Sequence, residues 1–195
     1  MKTFKTVIRT LMVTTTIVFF TLSFYEYKDQ VISQAEASVP TRPDFEHDTN
    51  QQFLDNVNQC VNYIYFHYDI REVNLEILLA QASLESGWGT SRFAKVGKNL
   101  FGIRTYDLKE PHMLPSNNPK KWGVKVYQHE CDSVAHYINV LNNGSAYKDY
   151  RSLLDQGITD PFVLIETLGA YATDKNYFSK VKLIVNKIRT EYNIK

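Results

Sequence analysis

Apolar residues recur every three or four positions in five segments of this chain, which places them on one face of an α-helix. In residues 51–65 the repeating positions include Phe53, Val57 and Ile64. The other segments are residues 73–85, residues 133–141, a segment opened by Thr159-Asp160-Pro161, and a last segment capped near Asp174. We therefore predict helices at both ends of one domain.

Start and stop signals accompany three of these helices. Asp160 followed by Pro161 is a cap followed by a proline where a helix tolerates one. Asp132 is predicted to cap the helix over residues 133–141, and Gly144 to end it. Asp174 is predicted to be the N-cap of the last helix and not a catalytic group.

The middle of the domain has a different pattern. Val124 and Val126 alternate with polar neighbours, and residues 111–119 are rich in proline and asparagine. Such alternation is typical of a strand, so residues 99–127 are predicted to contain a small β-hairpin. The predicted fold class is therefore mainly α, of the α+β kind, with a small β-hairpin lobe.

The N-terminus has the pattern of an export segment. Lys2, Lys5 and Arg9 precede residues 10–24, which carry no charge. A positive region before an apolar run of this length is typical of a secretory signal or of a short membrane anchor. An A-x-A pattern at residues 35–37 is a candidate cleavage site, and a simple buried helix is the third alternative.

These patterns divide the chain into three parts. Residues 1–37 are a signal peptide or a membrane anchor, residues 38–50 are a linker without apolar periodicity, and residues 51–195 are the functional domain. In either exported case the domain lies outside the cytoplasm, in the periplasm or cell envelope. A retained anchor through residues 10–24 would attach it to the inner membrane.

Composition narrows the class of protein. The 195 residues are 44% hydrophobic and 13% aromatic, which indicates a globular domain and not a disordered chain. The 22 Lys+Arg against 21 Asp+Glu leave a net charge of +1, which offers no strong field for nucleic acid. The five histidines show no ligand spacing, so we expect no metal and no other cofactor.

The two cysteines, Cys60 and Cys131, are too few for a disulfide scaffold and too far apart for a zinc motif. Outside the cytoplasm they would be able to form a disulfide, and two free buried thiols are the alternative. Basic residues dominate positions 91–125, either as an ordinary solvated surface or as a rim for an anionic partner.

One carboxyl group is placed where it would serve chemistry. Glu85 follows Ala82 by three residues and Leu78 by seven, so it lies on the apolar face of its predicted helix. Desolvation there would raise its pKa toward the range of a general acid. Two glycines around Trp88 then end the helix. The alternative to an inward-facing acid is that Glu85 faces solvent near the helix end.

At these residues the sequence resembles a known family. Residues 79–91, which read LAQASLESGWGTS, are similar to the core motif of bacterial peptidoglycan N-acetylglucosaminidases, also described as mannosyl-glycoprotein endo-β-N-acetylglucosaminidase-like. The blocks NLFGI at residues 99–103 and YATDKNY at residues 171–177 resemble later motifs of the same family. The resemblance covers the chain from about Phe53 to its end.

The resemblance implies a lysozyme-like helical domain that hydrolyses the β-1,4 bond after N-acetylglucosamine in peptidoglycan. Glu85 matches the catalytic acid of the family. Aromatic faces suit pyranose rings, so the substrate-binding residues are expected in the same motifs, with core packing as the alternative for the aromatic ones. The candidates are Trp88, Asn99, Phe101, Tyr171 and Tyr177. The expected partner is the glycan strand of peptidoglycan, and the protein is expected to be a monomer.

A second carboxylate is harder to assign. Many glycosidases use a pair, and residues 111–129 contain no Asp or Glu. Glu110 is the first choice for a base that activates water, and assistance by the substrate acetamido group is the alternative. Two other functions stay open: a lytic transglycosylase that uses Glu85 alone, and a protein that binds cell-wall glycan without cleaving it.

Overall fold

The computed structural model describes residues 21–28, 30, 39–116, 121–171 and 174–194. The chain separates into two compact units, Met1–Val39 and Pro40–Lys195. In the first unit, residues 21–28 are helical and exposed, while the rest of the apolar run 10–24 and the pattern at 35–37 lie outside the described residues. No helix within the described ranges is long and apolar enough to cross a membrane.

The second unit is mainly helical, which confirms the predicted fold class. Two single-turn 3-10 helices, Ser145–Tyr147 and Ile165–Thr167, connect some of its helices. The α-helices are α1 (Asn50–His67), α2 (Leu75–Ser86), α3 (Arg92–Lys95), α4 (Glu130–Asn143), α5 (Lys148–Asp155), α6 (Pro161–Leu164) and α7 (Tyr177–Glu191).

Some of the predicted helix ends are confirmed. The Asp160 side chain accepts a hydrogen bond from the Phe162 N–H, and Pro161 occupies the first helical position of α6. Gly144 is the C-cap of α4. The local chemistry of these residues is therefore enough to determine where the chain enters or leaves a helix.

Two predicted N-caps are wrong. α4 begins earlier than predicted because His129 caps it: the His129 ring accepts from the Cys131 N–H, and Asp132 accepts from the His129 N–H at 3.1 Å. α7 follows Asn176, which makes no side-chain cap, while Asp174 accepts from the Asn176 N–H at 2.9 Å. A histidine cap is not one of the common start signals, which explains the first error.

The centre of the domain is α2. Residues 77–80 and Ala82 in the middle of this helix are apolar and completely buried, and the helix packs most extensively against α7 and also against α1. Leu78 and Leu79 are fully buried, and burying each of them contributes about 2 kcal/mol to stability. Glu85, in the last turn of α2, is therefore carried by a well-anchored helix.

A disulfide joins Cys60 of α1 to Cys131 of α4, with the two Cα atoms 5.0 Å apart. This decides between the two alternatives that the sequence left open. The bond crosslinks positions separated by 71 residues, so it restricts the unfolded chain and ties together two packed helices.

The β-lobe is a three-stranded antiparallel sheet. Its strands are β1 (Arg104–Thr105), β2 (His112–Met113) and β3 (Gly123–Lys125), in the order β1-β3-β2. β2 and β3 form the predicted hairpin, and β1 is an addition. A strand of two residues is too short to show an alternation that sequence analysis could detect.

Residues 40–49 have no helix or strand before α1, as expected of a linker, but they pack against the domain. Pro43 is buried, and its carbonyl oxygen lies 3.2 Å from Nε2 of His129. Phe45 contacts the ring of Phe53, and Arg42 pairs with Asp132 at 2.9 Å. This segment is thus part of the folded unit that begins at Pro40.

Candidate active site

A groove of about 670 Å³ opens at the C-terminal end of α2, and Glu85 lines it. The opposite sides come from the loop and strand at residues 101–106, from the region of α4 and the following turn, and from the start of α7. The other lining residues are Leu84, Phe101, Gly102, Ile103, Arg104, Tyr106, Val140, Tyr147, Ala170, Tyr171, Asp174, Tyr177 and Lys180.

Glu85 is half-buried at the edge of this groove. Burial raises the pKa of Glu85 above its usual value because the charged form is poorly solvated, and a hydrogen bond from Tyr177 lowers it in part. The chain leaves α2 at Gly87, which has a left-handed φ of 59°. The predicted placement of Glu85 on the inner face of its helix agrees with this geometry.

Gly102 leaves space beside the acid. A Cβ built on Gly102 would lie 3.8 Å from Oε2 of Glu85, and the residue has a φ of 63°. A side chain there would be strained and would stand next to the carboxyl group. This glycine of the NLFGI block therefore keeps one side of Glu85 open to the groove.

Buried polar groups lie on the side of Glu85 that faces the protein interior. Tyr177 lines the groove with Glu85, and its hydroxyl lowers the pKa of that carboxyl as a hydrogen-bond donor. The same hydroxyl accepts from Nε2 of Gln81 at 2.7 Å. The hydroxyl of Tyr137 in turn donates to Oε1 of Gln81. Gln81 thus links the hydroxyls of Tyr137 and Tyr177 by hydrogen bonds, and Tyr177 stands in the groove with the acid.

Aromatic rings support the same wall. Phe101 stacks on Tyr137 with centroids 4.1 Å apart, and Tyr171 stacks on Tyr177 at 5.7 Å. The Tyr171 hydroxyl donates to the carbonyl oxygen of Phe101 at 3.0 Å. Phe101 is only 3% exposed, so most of its ring packs in the core and an edge borders the groove.

Trp88, a candidate for the sugar cleft, is not among the described residues that line this groove. Its ring contacts Phe53 and Tyr192, with centroids 6.3 and 5.6 Å away, and the Lys187 ammonium group lies 5.7 Å from its centroid. Both Gly87 and Trp88 have positive φ, and this turns the indole away from the groove. Trp88 therefore packs between α1 and α7.

Asn99, a candidate for substrate contact, is likewise not among the described residues that line the groove. Its side chain is buried; Nδ2 donates to the carbonyl oxygens of Ile103 and Lys125, and Oδ1 accepts from the N–H groups of Phe101 and Ile103. These bonds hold the loop before β1 against β3. The residue positions groove-lining neighbours without facing the groove itself.

The two further carboxylates occupy different places. Glu110 accepts from Lys125 at 3.1 Å and from Thr105 at 2.9 Å, and it is not among the described residues that line the groove. Asp174 lines the groove and accepts from Lys180 at 2.6 Å. Hydrogen bonds from Lys125 and from Lys180, respectively, lower the pKa of each carboxyl, so both are ionised at neutral pH.

Several groove residues were missed by sequence reasoning. Tyr106 is 71% exposed and lines the groove, as does Arg104, whose guanidinium carbon lies 4.0 Å from the ring centroid of Trp122. Both follow the NLFGI block in a segment too short for a periodic signal. Gln81 is inside the core motif, but only its contacts reveal a role.

Within the described residues, one group of side chains lies close enough together to be considered as a metal site. Candidate ligand atoms of Cys60, His129 and Cys131 lie within 4.8 Å of one another. The two sulfur atoms are bonded to each other, so neither is a thiolate. This group therefore acts as a crosslink beside a helix cap.

Comparisons with known proteins agree with this geometry. The family model described as mannosyl-glycoprotein endo-beta-N-acetylglucosaminidase matches residues 66–190. The exo-glucosaminidase LytG of Bacillus subtilis is 28% identical over 151 residues, covering 72% of this chain and 52% of LytG. The peptidoglycan hydrolase FlgJ of Vibrio parahaemolyticus is 27% identical over 180 residues, covering 85% of this chain and 56% of FlgJ.

The chain thus spans about half the length of these curated relatives. Among solved structures, the catalytic domain of the autolysin Auto from Listeria monocytogenes matches with a TM-score of 0.55 and 24% identity, over 83% of this chain and 94% of that domain. That likeness supports the fold. The family match covers most of the folded unit and confirms the resemblance seen in the motifs, so the chain belongs to the mannosyl-glycoprotein endo-beta-N-acetylglucosaminidase family of glycoside hydrolases.

Proposed function

We propose that this protein hydrolyses the β-1,4 glycosidic bond after N-acetylglucosamine in peptidoglycan, with Glu85 as the general acid. The observation that carries the proposal is a half-buried carboxyl group, with a raised pKa, that opens into a groove of about 670 Å³. Protonation of the leaving oxygen requires a carboxylic acid whose pKa is raised toward neutral pH.

The groove suits a charged glycan. Tyr106 offers an exposed aromatic face, Tyr171 borders the acid, and Arg104 adds a positive charge at the rim. Sugar rings pack on aromatic faces, and the stem peptides and lactyl groups of peptidoglycan carry carboxylates. We therefore assign substrate contacts to Tyr106, Tyr171 and Arg104, while Tyr177 acts mainly on Glu85.

For the second carboxylate we propose Asp174 in place of Glu110. Asp174 lines the same groove as Glu85, and its pKa is lowered by the hydrogen bond from Lys180 while the pKa of Glu85 is raised by burial. Two carboxyl groups that face one groove and whose pKa values are shifted in opposite directions are the arrangement that acid and base roles need. Glu110 instead joins Thr105 to Lys125 within the β-lobe.

We infer that the domain works outside the cytoplasm, in the periplasm or cell envelope. The disulfide between Cys60 and Cys131 supports this location, because such bonds persist in oxidising compartments. The positive and then apolar sequence of residues 1–24 supports export as well. Attachment to a membrane and the monomeric state stay predictions.

Digestion of purified peptidoglycan tests the function. The purified protein and its Glu85→Gln variant are incubated with the polymer, and the soluble products are identified by mass spectrometry after borohydride reduction. We expect N-acetylglucosamine at the new reducing ends, and a loss of at least about a hundredfold in rate for Glu85→Gln, since the amide has no proton to donate. Products of one or two sugars would indicate exo cleavage, and longer ones endo cleavage.

Glu76→Gln is the matched control, because Glu76 lies on the same helix but pairs with Arg189 away from the groove. It should keep its activity. Products ending in 1,6-anhydromuramic acid would replace the proposal with a lytic transglycosylase. Binding to peptidoglycan without cleavage would replace it with a glycan-binding role, and an active Glu85→Gln variant would rule out the assigned acid.

A further inference from the structure

Gln81 is a fully buried amide within an otherwise apolar part of α2, one helical turn before Glu85. A buried amide persists in such a place only when its polar atoms are satisfied. Here Oε1 accepts from the hydroxyl of Tyr137, and Nε2 donates to the hydroxyl oxygen of Tyr177 at 2.7 Å. The partners come from α4 and α7, so the amide joins three helices behind the groove.

The direction of these bonds determines what Tyr177 can do. A tyrosine hydroxyl has one proton to donate, and its oxygen can also accept. Because Gln81 donates to that oxygen, the Tyr177 proton is left for the carboxyl of Glu85. Tyr137 donates to the other end of the amide and so favours the orientation that keeps the Gln81 N–H on Tyr177.

We propose that Gln81 is a positioning residue for the acid: it holds the Tyr177 hydroxyl so that its proton is donated to Glu85, and thereby orients the carboxyl toward the groove. The proposal rests on the function proposed above. Gln81 has no exposed surface, so it acts on the substrate only through Tyr177 and Glu85. Aligned hydrogen bonds in a low-dielectric interior strengthen one another, which makes the chain effective at a distance.

Other groups also face Glu85. Tyr171 and Tyr147 are neutral, and burial raises the pKa of both hydroxyls. Arg104 approaches from β1, and the charges of Asp174 and Lys180 are paired with each other. Tyr177 shares the groove with Glu85 and is the hydroxyl that lowers the pKa of Glu85, so loss of this donor should change that pKa more than loss of the distant charges.

Gln81→Met tests the proposal, since methionine has similar length and no N–H to donate. Without that donor, the Tyr177 hydroxyl no longer points reliably at Glu85, and the carboxylate loses stabilisation. Because the acid must be protonated to work, we expect the alkaline limb of kcat/KM against pH to move to higher pH. We also expect kcat on soluble glycan strands to fall about tenfold, with KM nearly unchanged.

Ser83→Ala is the matched control. Ser83 is buried in the same helix, but its hydroxyl bonds only to the Leu79 carbonyl oxygen within α2. This variant should keep the pH profile of the wild type. Tyr137→Phe, which keeps the ring stacked on Phe101 and removes one hydroxyl, should move the limb in the same direction as Gln81→Met but less.

A second readout does not depend on activity. With carbon-13 glutamate in the full chain, the carboxyl signal of Glu85, assigned by its absence in Glu85→Gln, is titrated by NMR in each variant. A higher pKa of Glu85 in Gln81→Met supports the positioning role. A wild type that cleaves no peptidoglycan would overturn the proposed function, but it would leave this NMR result valid. An unchanged Glu85 pKa in Gln81→Met would overturn the positioning role; Tyr137→Phe decides if Gln81→Met does not fold.

Discussion

At Glu85, two opposing effects set the affinity for a proton. Burial at the end of α2 disfavours the carboxylate, and the Tyr177 hydroxyl favours it. The net result is a raised pKa, so the acid keeps its proton to a higher pH than a free glutamate does. The open space beside Gly102 leaves a path between this proton and a bound glycosidic oxygen.

The role of the second carboxylate is tested by substitution of the two candidates, Asp174 and Glu110. We expect Asp174→Asn to lower the rate of peptidoglycan cleavage about a hundredfold, because the groove then lacks an ionised carboxylate. Glu110→Gln should change the rate only slightly, since Glu110 is bound within the sheet. Initial rates at one substrate concentration below saturation measure both effects.

Lys180→Met is the control for Asp174. It breaks the same ion pair, whose atoms are 2.6 Å apart, but leaves the carboxylate in place. We expect Lys180→Met to lower the rate of peptidoglycan cleavage much less than Asp174→Asn does. If Glu110→Gln lost peptidoglycan cleavage and Asp174→Asn kept it, Glu110 and not Asp174 would be the second carboxylate.

At the scale of elements, one buried side chain joins the groove to the β-lobe. Asn99 makes four hydrogen bonds to backbone groups of Phe101, Ile103 and Lys125. We expect Asn99→Ala to lower the free energy of unfolding by about 2 to 3 kcal/mol, because buried backbone groups lose their partners. Urea unfolding followed by circular dichroism measures this loss.

Asn143→Ala provides the comparison, because Asn143 is exposed and bonds only to the side chain of Asn139. Its effect should stay within about 0.5 kcal/mol. Equal losses in the two variants would contradict the supporting role of Asn99. Peptidoglycan cleavage should also fall in Asn99→Ala, since the loop with Phe101 and Gly102 borders the acid.

At the scale of the whole molecule, the disulfide closes a loop of 71 residues between α1 and α4. Replacing Cys60 and Cys131 together by alanine should lower the free energy of unfolding by about 3 kcal/mol, chiefly because the unfolded chain gains freedom. Urea unfolding with and without a reducing agent measures it. The double variant should be insensitive to the reductant, and a wild type equally stable in both conditions would contradict the prediction.

The sequence by itself determined the features that depend on local spacing. Apolar spacing and start signals predicted α1, α2, α4, α6 and α7 but not the shorter α3 and α5. Asp160 and Gly144 marked helix ends, and the spacing of Glu85 from Leu78 and Ala82 placed it on an inner face. Those inferences succeeded because a helix repeats every 3.6 residues, so a few neighbours define which side a residue faces. The motif blocks identified the family because each is a run of consecutive residues that can be recognised without the fold.

Only the tertiary structure decided which groups meet. Tyr177 and Gln81 are 96 residues apart and touch, while Trp88, three residues from Glu85, packs on the other side of its helix end. Asp174 shares the groove with Glu85, while Glu110 does not line it in the described part of the chain. Long-range packing and backbone turns at positive φ leave no periodic mark, so the identity of the groups around the acid had to come from the fold.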